Sequence, residues 1–327
     1  MKEKYFNLQL FAEMNTNLTS SAGLTDEMKT YYSDYLIDHA TPKLVHDQFG
    51  QKHPIPKNGG KTIQFRKYSP LPKLTTPLEE GVTPDGQSLT MSVIEATVAQ
   101  YGGYVTLSDM LLLTAIDNNL VQATKLLGAQ AGSTLDTITR EVLNGGTNVI
   151  FAGGKEGRAD LDETSLITVD DVRKAVRKLK SMNAETIDGS FVGIINPDVA
   201  YDLMSDPKWI NVKTYSDPEG IYQGELGKIE NVRFVESTEA KIWAGAGAGG
   251  RAVYSTLILG DNAYGVTDIE GGGLQHIVKQ LGSAGTADAL DQRATAGWKA
   301  TKVAERLVEE YMVRIESAST FNPDKNN

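Results

Sequence analysis

The clearest pattern in the chain is a stripe of apolar residues at spacings of three and four within residues 106–144. Such spacing places the apolar side chains on one face of an α-helix. The stripe stops at Asn144, and the pair Gly145-Gly146 that follows is a common signal for a helix end. A helix of roughly 37 residues is about 55 Å long. The stripe consists of Leu113, Ile116, Leu120, Ala123, Leu127, Ala131, Leu135, Ile138 and Val142.

Two glycines, Gly128 and Gly132, lie inside this predicted helix. Each costs about 1 kcal/mol relative to alanine in a helix interior. They either mark a bend in the helix or allow another backbone to approach closely, and we favour the bend.

The stretch before this helix has the two-residue period of a β-hairpin. Ile63 and Phe65 alternate with polar residues in the outgoing strand, and a long connection rich in proline and glycine follows. In the return strand, Leu89, Met91 and Val93 share one face. An isolated hairpin is at best marginally stable in water, so we expect a surface outside the hairpin to cover it.

The return strand also changes phase along its length. Its later apolar positions are Ile94, Ala96 and Val98, which lie on the opposite face from the earlier ones. This shift predicts a β-bulge or a bend. Gly102 and Gly103 then interrupt the strand shortly before the helix, which is predicted to begin near residue 106.

The second half of the chain alternates helices and strands. Thr168 and Asp171 resemble a capping box for a second helix, and Asn196 caps a short helix with Pro197 at its first position. The buried face of the second helix is predicted to comprise Val172, Ala175, Val176, Leu179 and Met182. Strands are predicted at 190–195, 231–236, 253–259 and 274–279, and two more near the C-terminus are joined near Val308.

Residues 1–60 are polar and broken by prolines, so they are predicted to form an arm with little core of its own. One helical candidate lies there, from Thr25 to His39. The chain as a whole is predicted to have an α+β fold, with a mixed α/β fold as the alternative, and has no internal repeat.

Composition narrows the class of protein. A hydrophobic content of 40% and a charged content of 23% are typical of a globular chain. The absence of cysteine excludes disulfides and thiolate chemistry. The net charge of -10 argues against a dedicated nucleic-acid reader, because such proteins need clustered lysine and arginine. We expect no export signal and no membrane anchor.

Candidate chemistry is weak throughout. His39, His46 and His53 recur every seven residues, but two helical turns separate neighbours by about 10.5 Å, too far to share a zinc ion. The glycine-rich run at 244–250 precedes a strand, so it predicts a loop between strands rather than a phosphate-binding loop. Carboxylates do not converge with histidine or basic residues in any recognisable spacing. A hydrolase remains an alternative class, which predicts a monomer with a pocket and turnover.

The run at 173–180 concentrates positive charge on the outer face of the second helix. Its default interpretation is a solvated helix face. The alternative is a docking strip for an acidic partner or for a neighbouring copy of this acidic chain. The basic residues are Arg173, Lys174, Arg177, Lys178 and Lys180.

Four long stretches together resemble the major capsid protein of tailed bacteriophages, which has the Hong Kong 97-like fold. These stretches are LVHDQFGQKHPIPKNGGKTIQFRKYSPL at 44–71, INPDVAYDLMSDPKWI at 195–210, YQGELGKIENVRFVES at 222–237 and LDQRATAGWKATKVAERLVEEYMVRIES at 290–317. The resemblance covers nearly the whole chain. It implies an N-terminal arm at 1–60, an extended β-hairpin loop at 61–105, a peripheral domain with the long spine helix at 106–164, an axial domain at 165–290, and C-terminal strands that return to the peripheral domain at 291–327.

In this family the extended loop lies across an adjacent subunit. The resemblance therefore implies that another copy of the chain covers the hairpin, and that Gly102-Gly103 is the hinge where the loop leaves the spine helix. Valine at either glycine is expected to impair assembly more than folding, because backbone freedom is lost. The residues assigned to this inter-subunit loop and hinge are Ile63, Phe65, Leu89, Met91, Val93, Gly102 and Gly103.

The implied function is that of a structural subunit that self-assembles into the icosahedral head shell enclosing phage double-stranded DNA. No enzyme activity, catalytic residue, metal or cofactor is implied. The implied partners are further copies in pentamers and hexamers, a separate scaffolding protein, a portal, decoration proteins, and DNA held without sequence-specific binding. The implied location is the virion, after assembly in the host bacterial cytoplasm. The alternative with the same fold is the shell protein of a cargo-enclosing bacterial nanocompartment.

Overall fold

The chain divides into two units in the computed structural model. The first unit combines residues 1–45, 100–136 and 272–301, and the second combines 46–99, 137–271 and 302–327. The structure describes residues 16–20, 45–69, 71–77, 80–81, 83, 85–114, 119–209, 227–283 and 288–323. The helical candidate at 25–39 therefore lies outside the described residues.

Helices and strands both contribute, as the sequence predicts. The helices are α1 (Asp109–Thr114), α2 (Asn119–Asn144), α3 (Val169–Ser181) and α4 (Pro197–Met204). The strands up to the middle of the chain are β1 (Thr16–Ser20), β2 (Gln51–Lys52), β3 (Thr62–Tyr68), β4 (Met91–Thr97), β5 (Ala99–Ser108), β6 (Val149–Phe151) and β7 (Phe191–Ile195). The remaining strands are β8 (Lys228–Ile229), β9 (Val232–Glu236), β10 (Ile242–Trp243), β11 (Val253–Leu259), β12 (Tyr264–Thr267), β13 (Gln275–Lys279), β14 (Arg293–Arg306) and β15 (Met312–Ser317).

The first unit is organised around the start of β14. Its neighbours there are β5 and β13, and β1 pairs in parallel with β5. Trp298 of β14 is buried, and its indole Nε1 donates a hydrogen bond of 3.0 Å to Oε1 of Gln130 in α2. This bond links the sheet of the first unit to the helix.

The second unit contains a mixed sheet with the strand order β6-β15-β11-β7-β9-β8, and β10 adds to β11. Strands β7, β11 and β15 are buried at every position. Strands covered on both faces carry continuous apolar runs, which explains the FVGII sequence of β7. The predicted strands at 190–195, 231–236 and 253–259 are therefore confirmed, as is 274–279 in the first unit.

Helix α3 covers this sheet and begins where the sequence predicts. The Thr168 side chain accepts a hydrogen bond of 3.3 Å from the backbone N–H of Asp171, and Asn196 caps α4 in the same way. Most of the predicted face is buried, namely Val172, Ala175, Val176 and Leu179. Met182 was wrongly assigned to that face: the helix ends at Ser181, and the Met182 side chain is 47% exposed.

The start of the long helix also differs from the prediction. Strand β5 continues through Gly102-Gly103 to Ser108, so these glycines do not interrupt it, and the helix begins at Asp109 rather than near residue 106. The reason is the cap, because the Ser108 hydroxyl accepts a hydrogen bond from the backbone N–H of Leu111. Helix α1 ends at Thr114, and α2 ends at residue 144 as predicted.

Helix α2 is continuous through both of its internal glycines. Gly128 and Gly132 are buried, together with Ala123, Leu127, Ala131 and Leu135 of the predicted stripe. Burial of the glycines favours close packing, and the bend stays a prediction. None of the helices in the described ranges is both long and apolar enough to cross a bilayer.

The second unit also holds the segment that leads into the hairpin. β2 pairs in parallel with β12, and β12 pairs with the last part of β14. Asp47 accepts a hydrogen bond of 2.5 Å from the Thr139 hydroxyl of α2, and its other carboxylate oxygen pairs with the buried Lys302 of β14. These contacts fix the base of the hairpin to a helix and a strand.

Candidate assembly surfaces

The hairpin of β3 and β4 is a regular antiparallel ladder. Its register runs without a break from Thr62 opposite Thr97 to Tyr68 opposite Met91. Of the two predictions made from the phase shift, the β-bulge within β4 is therefore wrong, and the bend stays a prediction. The phase shift in the sequence instead reflects a regular strand with apolar residues on both faces. Just beyond β4, the Val98 N–H donates a further hydrogen bond of 2.8 Å to the Lys61 carbonyl.

The inner face of the hairpin packs on its own chain. Ile63, Phe65, Ile94 and Ala96 face this side, because directly opposite residues in an antiparallel pair share a face. The Phe65 ring lies against Gly265 of β12, since a Cβ atom on that glycine would lie 3.3 Å from the ring.

A groove of about 490 Å³ runs beside this contact, within the second unit. His53 packs edge-on to the Phe65 ring, with the ring centroids 5.7 Å apart. Leu307 and Val308 also line the groove. The chain itself therefore covers the inner face at the base of the hairpin. The resemblance had implied that another copy of the chain covers the hairpin.

The outer face of the hairpin carries exposed apolar side chains at the end nearest the tip. Met91 and Val93 are exposed by 45% and 42%, and Tyr68, directly opposite Met91, by 60%. The predicted site residues are therefore divided by the pleat, with Ile63 and Phe65 inside and Met91 and Val93 outside. A subunit with this surface leaves an unpartnered apolar strip in water.

The tip of the hairpin, residues 69–90, extends this exposure. Leu71, Leu74 and Leu89 are exposed by 50%, 78% and 70%. The last ladder contact is a hydrogen bond of 3.0 Å from the Ser69 N–H to the Thr90 carbonyl. The described residues between Ser69 and Thr90 form no hydrogen bond or ion pair with the rest of the described chain.

The two predicted hinge glycines lie side by side in β5. A Cβ atom on Gly102 would lie 2.7 Å from the Trp298 carbonyl oxygen, and one on Gly103 would lie 2.7 Å from Oε1 of Gln130. Neither glycine has a positive φ angle. The hinge role stays a prediction. The structure gives a second reason for glycine, because a side chain at either position would collide with a neighbouring oxygen atom.

Valine at Gly102 is therefore expected to impair folding as well as assembly. The new side chain would meet a backbone oxygen that cannot move freely, so the free energy of unfolding should fall by about 1–3 kcal/mol. The matched control is Gly86→Val, since no atom lies within 4 Å of a Cβ atom there. Urea unfolding followed by circular dichroism measures both. An unchanged stability for Gly102→Val would contradict the close contact and favour a purely conformational role.

The basic run on α3 is partly neutralised by its own chain. Arg173 pairs with Glu230 at 2.7 Å, and Lys174 pairs with Asp171 at 2.8 Å. Arg177, Lys178 and Lys180 have no carboxylate partner among the described residues. A solvated helix face explains this arrangement, and the docking strip stays a prediction.

Within the described ranges, no three histidine, aspartate or glutamate side chains are grouped so that they could hold a metal ion. Of the three predicted histidines, His46 is buried, His53 is exposed and His39 lies outside the described part. The glycine-rich run at 244–250 connects β10 to β11, as predicted.

Sequence reasoning missed the residues that hold the hairpin in place. Leu307 and Val308 carried no signal beyond strand propensity, and the buried Lys302 is separated by 255 residues from its partner Asp47. Buried ion pairs join positions that no short sequence motif brings together.

Comparison with known proteins identifies the class. The family model described as phage capsid protein matches residues 92–307, which is more than half of the chain. No curated protein matches the chain. The solved capsid of Ralstonia phage GP4 is similar, with 16% identity, a TM-score of 0.66, and coverage of 85% of this chain and 89% of that chain.

Two further solved capsids are similar over most of their length. The capsid subunit of cyanophage Pam1 has 15% identity and a TM-score of 0.67, and the match covers 98% of this chain and 100% of that chain. The mature capsid of bacteriophage PhiM1 has 14% identity and a TM-score of 0.59, and the match covers 85% of this chain and 87% of that chain. At these identities the likeness shows a shared fold.

The family match and the shared fold agree on a structural shell protein. They confirm the resemblance to the major capsid protein of tailed bacteriophages and lend no support to the nanocompartment alternative. The chain belongs to the phage capsid protein family.

Proposed function

We propose that this chain self-assembles into the icosahedral head shell that encloses phage double-stranded DNA. The observation that carries the proposal is the exposed apolar strip on the outer face and tip of the hairpin. Full burial of one such side chain is worth about 1.5–3 kcal/mol. A closed symmetric array repeats the same contact at every copy, so modest contacts add into a stable shell.

In this proposal the fold has the Hong Kong 97-like organisation. Residues 1–60 are the arm, 61–105 the extended loop, 106–164 the peripheral domain with the spine helix, 165–290 the axial domain, and 291–327 the strands that return to the peripheral domain. The loop lies across an adjacent copy in pentamers and hexamers. The inner face of its base rests on its own chain, so the outer face and the tip are the parts that reach the neighbour.

The remaining partners follow from the same role. A separate scaffolding protein guides assembly, a portal admits DNA, and decoration proteins join the outside. The DNA is held without sequence-specific binding, which agrees with the net charge of -10. Assembly takes place in the host bacterial cytoplasm, and the function is structural rather than catalytic.

The test is an aspartate on the outer face of the hairpin. Met91→Asp should leave the subunit folded, with a free energy of unfolding within about 0.5 kcal/mol of the parent chain, because Met91 is exposed. Shell formation should fall at least tenfold, because assembly would bury an unpaired charge. Size-exclusion chromatography and negative-stain electron microscopy measure the yield of particles.

Met182→Asp is the matched control, because Met182 is 47% exposed against 45% for Met91 and lies on the helix α3 cap, away from the hairpin. It should assemble as the parent chain does. Normal particles from Met91→Asp, or equal loss in both variants, would contradict the role given to the hairpin. A parent chain that stays a monomer under all conditions would contradict the proposed function as a whole.

A further inference from the structure

Charge is segregated along the hairpin segment of the sequence. We call residues 48–78 the basic limb. It carries six lysine and arginine residues and no aspartate or glutamate, whereas the chain as a whole has a net charge of -10, so the remainder carries -16. The next 46 residues, 79–124, contain six acidic residues and no lysine or arginine. The basic residues of the limb are Lys52, Lys57, Lys61, Arg66, Lys67 and Lys73.

The basic limb is exposed and nearly free of ion pairs. All six of its basic residues are exposed. Lys67 lies 3.7 Å from Glu310, and both side chains are about half exposed, so this pair contributes little. The other five have no ion pair with any carboxylate that the structure describes. The positive charge of the limb is therefore available to a partner.

The hairpin does not neutralise its own charge. In the ladder, Arg66 is opposite Val93, and Lys67 is opposite Ser92. The one carboxylate of β4, Glu95, is opposite Gln64 and accepts a hydrogen bond from it. No basic residue of β3 thus faces an acidic residue of β4.

We infer that the basic limb docks on the acidic surface of a second copy of this chain, so that charge complementarity adds to the apolar contact and makes subunit association depend on salt. The inference rests on the proposed function and adds the physical origin of the contact. The partner is acidic because the remainder of every copy carries -16. Opposite charges across an interface raise the rate of encounter and fix its register.

The composition of the outer face favours a protein partner over DNA. Arg66 shares this face with Tyr68, Met91 and Val93. Tyrosine, methionine and arginine are the residues enriched in protein–protein interfaces. A phosphate backbone would pair with the arginine and leave the apolar side chains uncovered.

The experiment reverses two charges of the limb in the full chain. The double variant Arg66→Glu/Lys73→Glu should need about a tenfold higher concentration for half-maximal association at low salt than the parent chain. Association of the parent chain should weaken between about 50 and about 500 mM NaCl, and the variant should lose most of this dependence. Static light scattering measures association, and thermal unfolding checks the fold. Should the double variant unfold, Arg66→Gln/Lys73→Gln is measured instead.

The matched control is Arg233→Glu/Lys279→Glu, which reverses two exposed charges that lie outside the limb and outside α3 and have no ion pair among the described residues. It should associate as the parent chain does. Equal association of the parent chain and the limb variant, both independent of salt, would overturn the inference while leaving shell formation intact. A parent chain that forms no particles would overturn the proposed function and this inference with it. Binding of a short DNA duplex that is lost in the limb variant, with unchanged association, would assign the limb to DNA instead.

Discussion

A chain that lacks residues 70–86 should remain a folded, soluble subunit and should form no shells. The described residues of this stretch are exposed and form no hydrogen bond or ion pair with the rest of the described chain. Removal leaves Gln87, Ser88 and Leu89 to connect Ser69 to Thr90, a length that closes a hairpin. Folding should therefore be preserved. Assembly should fail, because the exposed leucines at 71 and 74 that would reach a neighbour are gone.

Thermal unfolding, size-exclusion chromatography and negative-stain electron microscopy measure the two properties separately. The control keeps the length of the tip and removes its apolar side chains, because a glycine and serine linker of equal length replaces residues 70–86. This control should also fail to form shells, since it lacks the apolar side chains. Particles of normal size from the deletion variant would show that the tip has no part in assembly.

The elements that the sequence predicted well are those with a strong local signal. The apolar stripe and the glycine pair after Asn144 fixed the end of the long helix, and Asn196 with Pro197 fixed the start of α4. Caps and periodicity act over a few residues, so they can be recognised without knowledge of the tertiary structure. The same holds for the hairpin, whose alternation was clear on both strands.

The sequence-based predictions that were wrong concern features that depend on tertiary contacts. The phase shift at Ile94 predicted a bulge, because a strand with one covered face has one apolar face. In the structure Ile94 faces the groove on the inner side, and Val93 is exposed on the outer side. A strand with an interaction surface on each face produces the same sequence pattern as a bulge. The sequence therefore located the candidate surface but did not divide it into an internal and an external part.

A buried charge network ties the end of the long helix to the sheet of the second unit. Glu316 of β15 is fully buried and accepts two hydrogen bonds of 2.7 Å from Arg158 and one of 2.8 Å from Arg314. Arg314 also donates to the carbonyl oxygens of Asn144 and, at 3.0 Å, Gly146. These carbonyls lie at the C-terminal end of α2, where a cation is favoured.

The pKa values of the two arginines reflect this environment. The hydrogen bonds that Arg158 donates to Glu316 raise the pKa of Arg158, whereas burial lowers the pKa of Arg314. Both guanidinium groups lie beside the Trp243 ring, with the Arg158 carbon 3.7 Å from the ring centroid. The carboxylate of Glu316 is therefore the group that compensates a buried positive charge.

Glu316→Gln should lower the free energy of unfolding by about 3 kcal/mol, because it leaves a buried guanidinium without its counter-charge. The matched control is Glu163→Gln, since Glu163 also pairs with an arginine, Arg251 at 3.1 Å, but is 74% exposed. It should change stability by less than about 1 kcal/mol. Urea unfolding followed by tryptophan fluorescence reports on both, because Trp243 lies within the network. If the two variants were equally stable, the guanidinium groups would have to be compensated by the helix carbonyls alone, and the carboxylate would not be what joins α2 to the sheet.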